Sequence, residues 1–303
     1  NNPEFINEKV DSKEFQKYVK MIDDSNITFN PANKIIINET TDKKIGNDFH
    51  YNLTSIYITE TINISLDFAY VDLDDFELHK EIGEGSYSKV YEVLNKKTGL
   101  KYAAKVLRID YNQCKRNDYY ILLREVNSIS KVNHPSFVKF IGYSPVDFHH
   151  NPHPVIIMEL SSNRSLSHFL ESLRNDEEIP DWDDTMKLIN IYGIASGMAF
   201  LHSHEIILRD LKPDNILFDD YLFPKIIDFG LSKRLVNDIQ NDKSGVVGTV
   251  AYIAPEVFLN ETYDKPVDVY SFAMVVYEIM TNNRPFGNLT PFKIVPEIIN
   301  NKK

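Results

Sequence analysis

Cysteine is almost absent. Cys114 stands alone among 303 residues, so no internal disulfide can form, and the chain suits a reducing compartment. No run of 18 or more apolar residues occurs, which excludes a membrane-spanning helix from this stretch. A secretory leader is lacking too, and residue 1 is Asn rather than Met, which reads as a piece of a longer chain. Basic charge is scarce. Lys and Arg number 33 against 44 Asp and Glu, a net charge of −11, so the basic face that nucleic acid requires is not expected. A site for nucleotide phosphates remains open, because backbone amides, one Lys and a divalent cation suffice for it. Several Asn-x-Ser/Thr triplets, among them those at Asn26, Asn38, Asn52 and Asn63, are attributed to chance in an Asn-rich chain without a secretion signal.

What is present is an ordinary globular composition: 43% hydrophobic and 25% charged, with 17 Tyr and 18 Phe arguing against disorder. The length leaves room for two or three domains. One short stretch, Leu208 to Asn215, concentrates chemistry. Asp210 can accept the proton of an attacking hydroxyl. Lys212 can lie against a transferring phosphoryl group. Asn215 can offer a neutral oxygen to a cation, and Asp228, before Phe229 and Gly230, adds a second carboxylate. Hard oxygens in this small number are what Mg²⁺ asks for when water and nucleotide phosphates complete its shell. Upstream lie a turn with Gly83 and Gly85, and Lys105 after Ala103 and Ala104. Downstream lie Ala254, Pro255 and Glu256. Alone, each has a plain reading: a hairpin turn, a surface Lys, a helix charge pair for Arg124 and Glu125. Five in one order over about 170 residues are hard to reach by chance.

In that order and spacing the chain resembles the eukaryotic protein kinases. Lys212 with Pro213 resembles the serine/threonine kinases. Asp268-Val269-Tyr270-Ser271-Phe272, with Gly248-Thr249 ahead of Tyr252 and Ala254-Pro255-Glu256, resembles the tyrosine-kinase-like group. The resemblance covers about residues 76–303 and implies an α+β, two-lobed fold. A β-rich N-lobe of about 76–160 would carry one helix, and a helical C-lobe of about 161–303 would be incomplete at its C-terminus. It implies a Ser/Thr protein kinase that uses ATP with Mg²⁺, or Mn²⁺, acts on protein substrates, and resides in the cytoplasm or on the cytoplasmic side of a larger protein. Asp210, Lys212, Lys105 and Glu125 form the catalytic set, with Glu125 pairing Lys105. Asn215 and Asp228 hold metal. Gly83, Gly85 and Ser86 line the phosphates. Ile82 and Val90 cover the adenine, Ala103 joins them, and Leu217 lies beneath. Met158 is the gatekeeper, and the backbones of Glu159 and Ser161 face the adenine edge. Asp268 anchors the catalytic loop. Two positions depart from the family pattern: Ser88 replaces the third Gly, and Leu208 replaces a His that takes no part in proton transfer. They keep one rival in view, a pseudokinase that binds nucleotide or scaffolds without turnover.

Residues 1–75 differ from the rest, with 7 basic against 14 acidic residues. They read as a linker or the end of an upstream domain, with a small regulatory domain as the alternative. Asp11 is placed to cap a helix reaching Ile22, whose apolar stripe is Phe15, Tyr18, Val19 and Ile22. Residues 35–37 and 56–68 read as strands. Later strands are expected at 76–83, 89–94, 102–107, 137–143, 155–159 and 216–217. Helices are expected at 117–132, 165–173, 184–202, 268–281 and 291–300. In the 184–202 helix, Ile189, Ile191, Ile194, Met198 and Leu201 are the expected core. In the activation segment, Ser244 is the phosphorylation site expected to engage Arg209.

Overall fold

The structure, a computed structural model, describes residues 11–25, 27–29, 70–85, 88–108, 126, 129–161, 164–227, 250–259, 261 and 263–300. The expected strands within 35–37 and 56–68 lie outside these residues, as do Ser86, Glu125, Asp228 and the segment with Ser244 and Thr249. The chain forms two compact units. One comprises Thr28–Asn133 and Lys139–Leu160; the other comprises Asn1–Ile27, His134–Val138 and Ser161–Lys303.

The first unit is built on a five-stranded antiparallel sheet. Its strands are β2 (Phe76–Glu84), β3 (Ser88–Asn95), β4 (Lys101–Leu107), β6 (Phe140–Ser144) and β7 (Val155–Glu159), in the order β2-β3-β4-β7-β6. A two-residue pair, β1 (Thr28–Phe29) with β5 (Val132–Asn133), completes it. The β3–β4 turn is specified locally. Asn95 accepts from the amides of Lys97 and Thr98, and Gly99 takes φ +68, which costs a glycine little. Alternation then sorts side chains between two faces. Val93, Ala104, Val155 and Ile157 pack with Leu73 and Phe76 into a core. Val90, Ala103, Lys105, Ile156 and Met158 share the opposite face.

The second unit is helical: α1 (Ser12–Asp24), α2 (Leu166–Arg174), α3 (Asp184–Ser203), α4 (Pro255–Phe258), α5 (Pro266–Thr281) and α6 (Pro291–Asn300), with a hairpin of β8 (Ile216–Phe218) and β9 (Pro224–Ile226). Caps explain where the helices begin. Asp11 accepts from the amides of Lys13 and Glu14, Ser165 from His168, and Asp183 from Met186. Helix α5 ends where Asn282 turns left-handed, at φ 55. Phe169 and Trp182 close on Phe218 at 4.6 and 5.6 Å.

Several expected bounds shift. Val132 is not helical: it pairs with Phe29 as a strand, and Ser130 and Lys131 already form a turn. Phe137 does not open β6. The strand starts at Phe140, and Phe137 instead bridges Ile226 in the helical unit. Ile191 is only half-buried, whereas Ile189, Ile194, Met198 and Leu201 are core.

His134 sits in the short crossing segment of the helical unit, 5% exposed. Its Nδ1 accepts from the Ser136 amide at 3.1 Å, which leaves Nε2 to carry the proton toward Ser196 Oγ at 3.2 Å. Burial, with the charge of Lys225, pushes this imidazole down to about 4. The unfolded chain therefore takes up the proton first. The contribution to stability is complete above about pH 6.5 and is lost as pH falls through about 4. His134→Gln should flatten this part of a melting-temperature profile; an unchanged acid limb would contradict the assignment.

Candidate active site

The catalytic loop is held from beneath by one buried carboxylate. Asp268, on the first turn of α5, is 0% exposed. It accepts from the amides of Leu208 and Arg209, both at 2.7 Å, and pairs with His202 Nε2 at 2.8 Å. Three donors on one carboxylate offset the cost of burying it. The clamp holds Arg209 at φ 70, a left-handed conformation that costs a side-chain-bearing residue on the order of 1 kcal/mol. The Arg209 guanidinium lies over the Tyr263 ring at 5.8 Å. Leu208 is fully buried, so the apolar residue at this position is accommodated as core.

Past the clamp, Asp210, Lys212 and Asn215 converge. Lys212 Nζ lies 2.9 and 3.1 Å from the two Asp210 carboxylate oxygens. Asn215 Nδ2 donates to the Asp210 carbonyl and to Oδ2, each at 2.8 Å. Asp210 is thereby fixed in rotamer and direction, as a positioned base requires. Pro213 opens a 3₁₀ turn that aims Asn215, and the Ile227 amide donates to the Asn215 carbonyl at 2.9 Å. With both amide hydrogens of Asn215 directed at Asp210, its side-chain oxygen is left for a cation. That donor chemistry fits Mg²⁺ or Mn²⁺.

Other expected residues fall within their own units. In the sheet unit, Gly83 pairs with Val90, Val90 with Lys105, and Ala103 with Met158, so these residues share one face. Ile82 falls at a β-bulge between the Glu81 and Gly83 registers and is exposed. The Gly85 amide closes its turn on the Ser88 carbonyl at 2.8 Å. Among the described residues, a Cβ at Gly83 would meet Val90 and one at Gly85 would meet Ser88, each no nearer than 3.8 Å, an ordinary contact. Lys105 is half-buried. The Glu159 amide donates to the Lys139 carbonyl at 2.9 Å. In the helical unit, Ser161 Oγ donates to the Phe218 carbonyl and Leu217 bridges to Ser165.

Beside the catalytic loop, α2, α5 and residues 284–289 enclose a cavity of about 480 Å³ lined in part by Pro213 and Asp214. Its floor is Glu278, 3% exposed at the side chain, paired with Arg174 at 2.5 Å and receiving the Tyr252 hydroxyl. Burial, then the neighbouring Glu278 charge, pushes the Tyr252 phenol far up. At the rim, Arg284 pairs with Glu171 at 2.6 Å. Sequence reasoning missed this network. The available signal was Glu278 itself, a lone acid in the apolar run of α5, since a buried charge requires a partner. Arg174→Ala should destabilise by about 2–3 kcal/mol, below the full cost of an orphaned buried charge because Tyr252 remains. Replacing Arg174 and Glu278 together by Met should recover most of the loss in a chemical-denaturation double-mutant cycle; no recovery would contradict the pairing.

The fold and this loop define a protein kinase domain. The sequence model described as "Protein kinase domain" matches residues 76–302, and the chain belongs to that family. It is 33% identical over 223 residues to the Aurora kinase of Saccharomyces cerevisiae, covering 72% of this chain and 56% of that protein. It is 36% identical over 219 residues to cysteine-rich receptor-like protein kinase 10 of Oryza sativa subsp. japonica, covering 71% and 32%. With serine/threonine-protein kinase CTR1 of Arabidopsis thaliana it is 32% identical over 227 residues, covering 74% and 26%. The chain thus spans between about a quarter and just over half of these relatives. Among the described residues no helix is long and apolar enough to cross a membrane.

Proposed function

We propose that this chain is a serine/threonine protein kinase that transfers the γ-phosphoryl group of ATP to hydroxyls of protein substrates. The observation that carries the reading is Asp210 fixed by Lys212 and Asn215 above the Asp268 clamp. Asp210 orients the acceptor hydroxyl and takes its proton as the oxygen bonds to the γ-phosphorus and the bond from that phosphorus to the β–γ bridging oxygen breaks, leaving ADP. Lys212 follows the charge of the phosphoryl group in flight, and Lys105, paired by Glu125, holds the α- and β-phosphates. Asn215 and Asp228 would hold Mg²⁺, with Mn²⁺ as a substitute, and the ion would neutralise the phosphate oxygens. Gly83, Gly85 and Ser86 cover the phosphates, while Ile82, Val90, Ala103, Met158, Glu159, Ser161 and Leu217 receive the adenine. Residues 76–303 form the catalytic domain and 1–75 an extension; the protein works in the cytoplasm or on the cytoplasmic side of a larger one.

The serine/threonine assignment rests on Lys212 with Pro213 and on the names of relatives such as CTR1. Its test is the identity of the phosphorylated residue after incubation with Mg²⁺-ATP and mixed peptides. Phosphoserine and phosphothreonine are expected; phosphotyrosine alone would overturn it. Control belongs to Arg209, which is exposed beside Asp210. A phosphate on Ser244 supplies the charge and oxygens that Arg209 binds bidentately. Ser244→Ala and Arg209→Ala should each lose the same activation, read as turnover before and after phosphatase; full activity in Ser244→Ala would remove Ser244 as the switch.

A further inference from the structure

Helix α1 lies outside the matched kinase sequence, yet it docks against the hairpin that follows the catalytic loop. Tyr18 and Ile22 are its buried residues, 3% and 2% exposed. The Tyr18 ring packs on Phe223 at 4.5 Å, and Phe15 meets Tyr192 edge-on at 5.7 Å. At the start of the helix the Asp11 amide donates to Thr185 Oγ1 on α3 at 2.8 Å. Gly193 makes the approach possible. A Cβ there would lie 2.3 Å from Tyr18 Oη and 2.7 Å from Pro224 Cγ, so phenol, proline and helix backbone converge on space that only glycine leaves. Burial pushes the Tyr18 phenol far up, which keeps it neutral in this position.

Phe223 and Pro224 are where β9 begins. From there the contacts run on to the reacting groups. β9 pairs with β8, the Ile227 amide donates to the Asn215 carbonyl, and Asn215 holds Asp210. We infer that Tyr18 is a positioning residue for phosphoryl transfer: wedged against Gly193, Phe223 and Pro224, it braces the β8–β9 hairpin and through it Asn215. The inference rests on the kinase reading for its kinetic consequence only.

The experiment compares the whole chain with Tyr18→Phe, Tyr18→Ala and Thr185→Val. Thr185→Val loosens α1 at its start, away from the hairpin, and serves as the purely structural control. Two quantities are read: amide hydrogen exchange over residues 215–227, and kcat and KM for peptide. Tyr18→Ala should speed exchange across the hairpin and lower kcat about tenfold, within the hundredfold that a 1 Å misplacement can cost, with KM unchanged. Tyr18→Phe keeps the ring on Phe223 and loses only the hydroxyl over Gly193, so it should fall between the parent and Tyr18→Ala in both. Thr185→Val should lower the melting temperature and leave kcat and hairpin exchange as in the parent. Parent-like exchange in Tyr18→Ala, or a kcat loss that follows melting temperature equally in both loosened variants, overturns the proposal. If the parent itself transfers no phosphate, the kinase reading fails, and hairpin exchange still decides the bracing.

Discussion

Asp210→Asn is expected to cut kcat by about 10³-fold, in the middle of the range that a positioned general base contributes. The substitution keeps the shape, the Lys212 contact to one oxygen and an acceptor for Asn215, so the loop should retain its geometry. What it removes is the capacity to take the hydroxyl proton and the negative charge that holds Lys212 close. ATP is expected to bind nearly as before, because Val90, Ala103 and Lys105, proposed above to face the nucleotide, belong to the sheet unit. Steady-state turnover together with nucleotide titration separates the two effects. A variant that turns over like the parent would remove Asp210 from the mechanism.

Asp268→Ala is expected to cost about 3–5 kcal/mol, the range for breaking a buried, charge-assisted arrangement from one side. Total stability of a domain is only about 5–15 kcal/mol, so this single change brings it near its limit. The magnitude follows from the partners. The amides of Leu208 and Arg209 would each lose a 2.7 Å bond, at about 1–3 kcal/mol for each buried donor left unsatisfied. His202 would lose its 2.8 Å acceptor as well. Arg209 at φ 70 would then relax toward an unstrained backbone and carry Asp210 out of register. Asp268→Asn keeps one acceptor oxygen and should fall between the two. Chemical denaturation gives the stability, and turnover at a temperature where the variant remains folded gives the loss of register. A destabilisation below about 1 kcal/mol would show that the clamp is not what holds the loop.

The catalytic loop was legible because its chemistry is short-range in sequence. Asp210, Lys212 and Asn215 fall within six positions, and a 3₁₀ turn starting at Pro213 suffices to bring them into mutual hydrogen-bonding distance. Asp268 was legible only through family resemblance, since sixty residues separate it from the amide it receives. Strands β3, β4 and β7 were legible as short runs rich in Val, Ile, Tyr and Ala between turn-forming or polar stretches, and α3 and α5 from length and apolar content. Strand β5 was not: Val132 reads as the end of a helix until pairing with Phe29, far away in the chain, decides otherwise. Helix α1 was legible as a helix from its cap and stripe, but its docking was not. Nothing local marks Gly193 as the place a tyrosine must pass, because a helical glycine alone does not reveal which side chain approaches it. The Arg174–Glu278 pair was hidden for a similar reason, with its members on helices 104 residues apart.

The most direct test of the account is to measure ATP binding and γ-phosphoryl transfer on the same preparation of the full-length protein with Mg²⁺. The account predicts both: saturable binding of ATP, and continuing multiple-turnover transfer of the γ-phosphate to seryl and threonyl hydroxyls, cut about 10³-fold by Asp210→Asn without loss of binding. Saturable binding with no transfer above that of Asp210→Asn would contradict it and leave a nucleotide-binding pseudokinase in its place.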